Sequence, residues 1–288
     1  MTASAQPPGG LPEPATSAGR DGLDALIASP ARALVAMDFD GTLSPIVSNP
    51  DAAKAHPGAA AALRSLAPLV GTVAIITGRP AAQAVELGSF ASVPGLLILG
   101  QYGLQRWESG RLETPPPPPG VDQARRELPG LLERAGALAG TWVEDKQQAV
   151  AVHTRRTSDP EAALERVRGP LADLARRTGL AVEPGRMVIE LRPHGVDKGG
   201  VLRELARQRG ASAAMFCGDD LGDLTAFAAV RDLRAAGTPG LTVYSKSGTE
   251  TVAELERQAD LVVDGPDGVV ALLGALAAAL GSAGAGHR

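Results

Sequence analysis

Six short segments that are apolar on both faces constrain the fold of this chain more than any other feature of its sequence. They are residues 32–38, 71–77, 95–100, 213–219, 241–245 and 259–265. Helical patterns alternate with them at residues 57–69, 80–88, 199–210, 249–258 and 267–280. A strand buried on both faces is typical of a parallel sheet that helices cover on both sides. The sequence therefore predicts a doubly wound α/β core joined by right-handed crossovers.

The middle of the chain has a different pattern, which starts with a run of prolines at residues 115–119. Two helical patterns and four strand-like segments follow, at residues 122–138, 141–145, 148–155, 159–178, 180–184 and 187–192. The first two strand-like segments alternate apolar with polar residues, as strands of an antiparallel sheet with one solvated face do. We therefore predict a smaller α+β domain, residues 108–192, inserted into a core formed by residues 23–107 and 193–281.

Composition and charge bound the class of the protein. The formal net charge of −4 gives no reason to expect nucleic acid or an anionic membrane as a partner. Residues 1–22 are rich in Pro, Gly, Ala and Ser and predict a disordered tail without the pattern of a signal peptide. No segment predicts a membrane-spanning helix, and Cys217 is the single cysteine, so no intrachain disulfide can form. We expect a cytoplasmic protein, and a monomer.

Reactive side chains stand at the ends of several predicted strands. They are Asp38 and Asp40, then Thr77 and Arg79, then Asp219, Asp220 and Asp223, with Lys198 at the start of a predicted helix. Ligands of open α/β sheets bind beyond the carboxyl ends of the strands. Each of these motifs alone is a weak signal, but together and in this order they predict one shared site.

The charges of that site predict a metal ion. Five aspartates in one cleft cannot all ionise without compensation. A divalent cation and Lys198 together supply three positive charges. Carboxylate oxygens suit a hard ion, and Mg²⁺ accepts phosphate oxygens as further ligands. The sequence therefore predicts a Mg²⁺ pocket for a phosphorylated substrate.

The four motifs resemble, in their order, those of the haloacid dehalogenase superfamily of phosphotransferases. The resemblance implies that Asp38 is a nucleophile that forms an aspartyl-phosphate, and that Asp40 exchanges protons with the leaving oxygen and the attacking water. It implies that Thr77 binds a phosphoryl oxygen and that Lys198 offsets negative charge. Asp219 would bind Mg²⁺ together with the Asp38 side chain and the Asp40 backbone carbonyl.

The same resemblance gives supporting roles to neighbours of these residues. Asp220 and Asp223 are expected to contact the metal indirectly or through water. Gly41 permits a turn after the first strand. The residues predicted to contact the substrate around the reacting phosphoryl group are Gly41, Thr42, Gly78 and Arg79. The sequence also allows a purely local role for Arg79, at the end of the second strand.

The inserted domain sharpens the resemblance. The segments "VEDK", "AVHTR" and "VIELRPHGVDKG", with "DFDGTLSPIVSNPDAA" and "IITGRP" in the core, are similar to the trehalose-6-phosphate phosphatase family over residues 33–227. That resemblance implies that the insert is a cap whose side chains contact the sugar, namely Glu144, Lys146, Arg155, Arg186 and Glu190. Without it, Glu144 and Lys146 suggest a cross-strand surface pair. His153 and Trp142 suggest structural and packing residues.

Two motifs depart from the family pattern. The third core strand is followed by Gly-Gln-Tyr-Gly, with Tyr102 where the family usually has histidine. In "GDDLGDLTAF" the residues Gly222, Leu224 and Thr225 replace the usual Thr, Glu and Asp. The three aspartates of this motif are retained, so the departures concern the surroundings of the site.

The function predicted by these motifs is Mg²⁺-dependent hydrolysis of trehalose 6-phosphate to trehalose and phosphate, the last step of trehalose biosynthesis. An alternative keeps the chemistry and changes the sugar, to sucrose 6-phosphate or to a glycosyl- or mannosyl-phosphoglycerate. Another alternative is a non-catalytic sugar-phosphate-binding regulatory module. Because Asp38, Asp40, Lys198 and Asp219 are all retained, the sequence favours an enzyme.

Overall fold

A computed structural model gives the fold and describes residues 10–47, 52–185, 187–246 and 252–285. In chain order the strands are β1 (Ala33–Met37), β2 (Thr72–Ile76), β3 (Leu96–Gly100), β4 (Gln105–Glu108), β5 (Arg111–Glu113), β6 (Trp142–Asp145), β7 (Val150–His153), β8 (Leu180–Gly185), β9 (Val188–Pro193), β10 (Ala213–Gly218), β11 (Gly240–Lys246) and β12 (Leu261–Asp264). The helices are α1 (Ser17–Ala28), α2 (Ala59–Leu66), α3 (Ala81–Gly88), α4 (Pro119–Arg134), α5 (Pro160–Thr178), α6 (Lys198–Arg209), α7 (Leu224–Ala235), α8 (Ala253–Gln258) and α9 (Gly265–Ala285).

Eight of the strands form one sheet in the order β12-β11-β10-β1-β2-β3-β4-β5. The six strands from β12 to β3 are parallel, which confirms the predicted doubly wound α/β core. The chain first extends the sheet from β1 to β3 and later returns to place β10 on the other side of β1. The strand order therefore reverses between β1 and β10, where open α/β sheets bind their ligands.

The core lies on both faces of this sheet because the parallel strands β1, β2, β3, β10 and β11 are buried along nearly their whole length. In β1, Val35 and Met37 belong to a cluster that includes residues of α1, α2 and α9. Leu34 and Ala36 belong to the opposite cluster, with residues of α6 and α7. The continuous apolar runs in the sequence are thus explained by helices packed on both faces.

The N-terminal segment corrects one prediction. Residues 17–22, expected in a disordered tail, form the first part of α1, which Thr16 caps by accepting from the N–H of Gly19 at 2.9 Å. Leu23 and Leu26 on this helix are buried. A Cβ at Gly22 would lie 1.8 Å from the Gly240 carbonyl oxygen, so the glycine permits close helix–sheet packing. A composition typical of loops here serves a packed helix.

The predicted domain boundaries also shift by a few residues. β4 pairs antiparallel with β3 and β5 pairs antiparallel with β4, so residues 108–113 extend the core sheet although they were expected in the insert. Contacts divide the chain into two compact units, with breaks after Glu113 and after Val196. These two short strands and α7 were not predicted from the sequence.

The second unit, residues 114–196, is built on the antiparallel sheet β6-β7-β9-β8. One face of this sheet packs on α4 and α5 through a buried cluster that includes Val150, Val152, Ile189 and Leu191. The alternate residues of the same strands lie on the other face, among them Glu144, His153 and Glu190. The predicted α+β insert with one polar sheet face therefore has the expected architecture.

Helix α9 passes the length and hydropathy test for a membrane span over Gly265–Ser282, with a mean hydropathy of 1.4, although the sequence had predicted no such segment. Its residues Val269, Leu273 and Leu276 are buried in the core cluster that also contains residues of α2. A core helix meets the same test, so this helix by itself does not indicate a membrane protein.

Candidate active site

The main candidate residues lie where the strand order reverses. Asp38 follows β1, and its backbone N–H donates to the carbonyl oxygen of Cys217 in β10 at 2.9 Å. Asp219 directly follows β10, and Asp223 lies in a short turn before α7. One carboxylate oxygen from each of these three aspartates lies within 4.8 Å of the others, and all three residues are buried. The fold therefore brings together carboxylates that are far apart in sequence.

Lys198 lies against this cluster. Its Nζ is 2.7 Å from Oδ2 of Asp38 and 2.6 Å from Oδ1 of Asp223. The lysine is the first residue of α6, and the Asp197 side chain caps the helix by accepting a backbone N–H. The buried ammonium group is therefore carried by the first residue of a capped helix.

Burial and mutual repulsion control the charges of the cluster. Burial raises the pKa of Asp219 to about 9, and the nearby Asp38 and Asp223 carboxylates act in the same direction. Burial also raises the pKa of Asp38 well above its ordinary value, despite the opposing charge of Lys198. Burial alone would lower the pKa of Lys198, but Asp223 and Asp38 raise it well above its usual value. One lysine thus leaves the three carboxylates short of positive charge.

These three carboxylates fit a divalent metal ion. Their donor atoms are all oxygens, they converge within 4.8 Å, and they are withdrawn from bulk water. Hard cations such as Mg²⁺ prefer such oxygen donors. A bound divalent cation would supply the positive charge that the cluster lacks.

The turn after β1 depends on Gly41. Its φ is +70°, and a Cβ there would lie 1.8 Å from Oδ2 of Asp219. The hydroxyl of Thr42 donates to Oδ1 of Asp219 at 3.4 Å. The buried hydroxyl of Ser245, at the end of β11, donates to the Gly41 carbonyl oxygen at 2.7 Å. Sequence reasoning missed Ser245, because nothing in its local sequence links it to this turn.

Replacing Gly41 by alanine is expected to destabilise the protein more than replacing Gly95. Both glycines have left-handed backbones, with φ of +70° and +67°, but only a Cβ at residue 41 meets other atoms within 4 Å. The left-handed backbone alone costs an alanine roughly 1–2 kcal/mol. Urea unfolding of Gly41→Ala and Gly95→Ala measures the extra cost of displacing Asp219. Equal losses in the two variants would show that Gly41 is required only for its backbone conformation.

Asp40 is held by Arg79. Nε and Nη2 of the guanidinium donate to the two carboxylate oxygens of Asp40, both at 2.7 Å. The guanidinium carbon also lies 5.6 Å from the centre of the Phe39 ring. The backbone N–H of Arg79 donates to the buried hydroxyl of Thr77 at 3.1 Å. The structure therefore places the Thr77–Arg79 segment beside Asp40, with Arg79 orienting the predicted acid and base.

The loop after β3 supports this segment. Gln101 and Tyr102 both have left-handed backbones, with φ of 48° and 55°. Their N–H groups donate to the carbonyl oxygens of Arg79 and Thr77, at 2.9 Å each. A Cβ at Gly78 would lie 2.8 Å from the phenolic oxygen of Tyr102. Tyr102, which replaces the family histidine, therefore packs on Gly78, between Thr77 and Arg79.

The aspartates in the segment after β10 lie in different surroundings from one another. Oδ2 of Asp223 accepts the backbone N–H groups of Asp219 and Asp220, at 2.9 and 3.1 Å. Asp220 is exposed to solvent, and its carboxylate accepts the N–H of Gly222. Asp223 is thus part of the buried cluster, whereas Asp220 shapes the turn. Thr225, a departure from the family pattern, accepts the N–H of Gly199 at 3.2 Å and links the turn to α6.

The second unit brings most of its predicted residues onto the polar face of its sheet. Oε2 of Glu144 lies 2.8 Å from Nε2 of His153. Nζ of Lys146 donates to Oε2 of Glu190 at 2.5 Å. Glu144 and Lys146 thus each form an ion pair with a residue of another strand of this sheet.

The remaining predicted residues of this unit are Arg155 and Arg186. Arg155 is exposed just after β7, and Arg186 lies outside the residues that the structure describes. The Trp142 ring stacks on the His153 ring, with centroids 4.4 Å apart. Sequence reasoning favoured a packing role for Trp142 over stacking on a sugar ring, and it missed the stacking on His153 because the facing of the two rings depends on strand register.

Comparison with known sequences identifies a family. The sequence model of the family described as trehalose-phosphatase matches residues 36–260. A protein of Mycobacterium avium (strain 104) named trehalose-phosphate phosphatase is 38% identical over 242 residues, covering 77% of this chain and 57% of that protein. One of the same name from Mycobacterium marinum is 34% identical over 290 residues, covering 95% of this chain and 68% of that protein. The chain thus spans little more than half of the first relative and about two thirds of the second.

Solved structures share the fold. A structure of Aspergillus fumigatus trehalose-6-phosphate phosphatase superposes with a TM-score of 0.66 at 22% identity, covering 93% of this chain and 99% of the other. A haloacid dehalogenase-like hydrolase from Bacteroides thetaiotaomicron gives 0.54 at 16% identity, covering 83% and 97%. At these identities the likeness establishes the fold class and leaves the activity to be argued from the site.

Proposed function

This chain belongs to the trehalose-phosphatase family, and from that premise we propose that it hydrolyses trehalose 6-phosphate to trehalose and phosphate. The observation that carries the proposal is the buried cluster of Asp38, Asp219 and Asp223 around Lys198 at the reversal of the strand order. The names of the two mycobacterial relatives support the same substrate. Because those relatives are longer than the region matched here, the activity and its substrate stand as our proposal.

In the first half of the proposed reaction, an Asp38 oxygen attacks the phosphorus and forms an aspartyl-phosphate. The bond between phosphorus and the sugar oxygen breaks, and Asp40 gives that oxygen a proton. Lys198, 2.7 Å from Asp38, stabilises the negative charge of the transferring group. Arg79 links Thr77 to Asp40, because its backbone N–H donates to the Thr77 hydroxyl and its guanidinium donates to Asp40. In the proposed reaction the Thr77 hydroxyl donates to a phosphoryl oxygen.

In the second half, Asp40 takes a proton from water while the water oxygen attacks the phosphorus. The bond to Asp38 breaks, inorganic phosphate leaves, and both aspartates return to their starting state. Two hydrogen bonds from Arg79 hold the carboxylate of Asp40 in place for this step. Asp40 must exchange at least one of these hydrogen bonds to pass a proton.

The cofactor that we propose is Mg²⁺. Asp38 and Asp219 would hold it with the Asp40 backbone carbonyl, while Asp223 and Asp220 would support it indirectly. When bound, Mg²⁺ neutralises charge on the phosphoryl oxygens. The all-oxygen donor set and the shortage of positive charge in the cluster support this assignment.

The polar face of the second unit is proposed to bind the sugar, and the unit to act as a cap. Lys146 supplies hydrogen-bond donors, and the carboxylates of Glu144 and Glu190 supply acceptors. Arg155 and Arg186 complete the predicted set. A mixture of charged donors and acceptors suits a polyhydroxylated leaving group. We further propose a cytoplasmic monomer that binds neither nucleic acid nor membrane.

Phosphate release from a panel of sugar phosphates tests this function. Trehalose 6-phosphate is expected to be hydrolysed fastest with Mg²⁺ and not measurably with excess chelator. Glu144→Ala and Lys146→Ala should each raise KM for it about tenfold, the effect of losing one charged hydrogen bond, and spare p-nitrophenyl phosphate. Glu165→Ala, which removes an exposed helical charge from the same unit, is the matched control.

Other results of the panel lead elsewhere. Preference for sucrose 6-phosphate or for a phosphoglycerate sugar would retain the chemistry and replace the substrate. Absence of hydrolysis with Mg²⁺, alongside binding of trehalose 6-phosphate, would identify a regulatory module. Equal loss of all substrates in Glu144→Ala and Lys146→Ala would contradict the sugar-binding role of the second unit.

A further inference from the structure

Three side chains of the second unit pack together on the polar face of its sheet. Trp142 and His153 are directly opposite each other in the β6–β7 register. Their rings are nearly parallel, at 9°, with centroids 4.4 Å apart. The guanidinium carbon of Arg156 lies 4.3 Å from the centre of the same indole, within range of a cation–π contact. We call Trp142, His153 and Arg156 the Trp142 cluster.

The Trp142 cluster ends at a candidate sugar-binding carboxylate. Nε2 of His153 is 2.8 Å from Oε2 of Glu144, whose own side chain is 46% exposed. This hydrogen bond is the largest cause of the lowered pKa of Glu144. A carboxylate has about four acceptor sites, so this bond leaves Glu144 able to accept from a ligand as well.

The position of the Trp142 cluster separates it from the hydrophobic core of the unit. Val150 and Val152, next to His153 in β7, point to the opposite face and are fully buried against the helices. Arg156, by contrast, is exposed, and Trp142 is half-buried. The apolar core of the unit lies on the helix-facing side of the sheet. The packing of the Trp142 cluster on the polar face therefore has a role other than forming that core.

We infer that Arg156 and Trp142 hold the His153 imidazole in place, and that His153 in turn orients Glu144 toward a hydroxyl of the sugar leaving group. This inference rests on the proposed function and adds three positioning residues that the motifs did not assign. A free glutamate side chain has three rotatable bonds, and binding a hydroxyl requires that they be fixed. The Trp142 cluster fixes them before the substrate arrives.

The test compares KM and kcat for three variants on two substrates. His153→Phe keeps a flat ring but removes the hydrogen bond, Trp142→Leu removes the stacking surface, and Arg156→Gln removes the cation. The substrates are the sugar phosphate that the unsubstituted protein hydrolyses best and p-nitrophenyl phosphate. We expect KM for the sugar phosphate to rise about tenfold in His153→Phe and less in the other two, with kcat retained. Values for p-nitrophenyl phosphate are expected to stay unchanged.

Three further measurements separate positioning from a merely structural role. Glu144→Ala combined with His153→Phe should be no worse than Glu144→Ala alone, because both act through one carboxylate. Arg156→Lys should restore most of what Arg156→Gln loses. Arg168→Gln, which breaks an exposed ion pair with Glu165 on α5, is the matched control and should match the unsubstituted protein.

The possible failures are distinguishable. If the unsubstituted protein showed no preference for any sugar phosphate over p-nitrophenyl phosphate, the proposed function and this inference would both fall. If the preference existed and Glu144→Ala removed it, but the cluster variants kept it, only the inference would fall. Equal losses on both substrates, or additive effects of Glu144→Ala and His153→Phe, would likewise overturn it.

Discussion

Asp38→Asn is expected to lower the rate of phosphate release by roughly 10⁴-fold or more, because the amide cannot act as the nucleophile. Asp38 is buried at the end of β1, with its Oδ2 2.7 Å from Nζ of Lys198. No other carboxylate in the described part of the chain occupies this position. The measurement is phosphate release with saturating Mg²⁺. Trapping of the phosphorylated protein tests the covalent step directly. A labelled aspartyl-phosphate is expected in the unsubstituted protein and none in Asp38→Asn.

The same variant is expected to remain folded. Burial and the nearby carboxylates raise the pKa of Asp38, so a neutral amide relieves repulsion in the cluster. Thermal unfolding without metal should therefore give a Tm at or above that of the unsubstituted protein. Asp232→Asn, an exposed aspartate paired with Arg203 on the surface of α7, is the control and should keep full activity. Retention of activity in Asp38→Asn would exclude the aspartyl-phosphate mechanism.

Lys198→Ala is expected to have the largest effect on stability. The substitution leaves the Asp38 and Asp223 carboxylates buried without their cation, and breaking such a pair from one side costs about 3–5 kcal/mol. Activity should be lost as well, since Lys198 offsets the charge of the transferring group. Urea unfolding with and without Mg²⁺ is the measurement.

Magnesium should partly reverse the stability loss of Lys198→Ala. A divalent cation brings positive charge to the same carboxylates and stabilises the folded state by mass action. We therefore expect a larger Mg²⁺-induced rise of the unfolding free energy in the variant than in the unsubstituted protein. Lys246→Ala, which removes a 40% exposed lysine paired with Glu256, is the control and should cost less than about 1 kcal/mol. A similar cost for both lysines would mean that the cluster is not charged as described.

Local pattern was enough to predict the framework of this protein. A parallel strand buried on both faces must be apolar along its whole length, so the six core strands stood out in the sequence. The aspartates at the ends of β1 and β10 stood out because carboxylates are rare next to such strands. The trehalose-phosphatase family, predicted from these motifs, was confirmed by the match over residues 36–260.

The sequence was less informative where partners come from distant segments. The first part of helix α1, residues 17–22, was mistaken for a tail because its small residues, such as Gly22, fit against a strand that lies far along the chain. β4 and β5 are short and are strands only because β4 pairs with β3 and β5 pairs with β4. Both errors have one cause. The secondary structure of these segments depends on the elements against which they pack, and their local sequence does not reveal it.

The sequence by itself determined which residue types are available for chemistry, their order and the strand ends on which they stand. Only the tertiary structure decided their pairing: Asp223 joins the buried cluster, Arg79 holds Asp40, Ser245 fixes the Gly41 turn, and His153 holds Glu144. The physical reason is that hydrophobic pattern is a property of local sequence, whereas hydrogen bonds and ion pairs require distances of a few ångströms. Those distances are set by strand order and register, which bring together residues from separate parts of the chain.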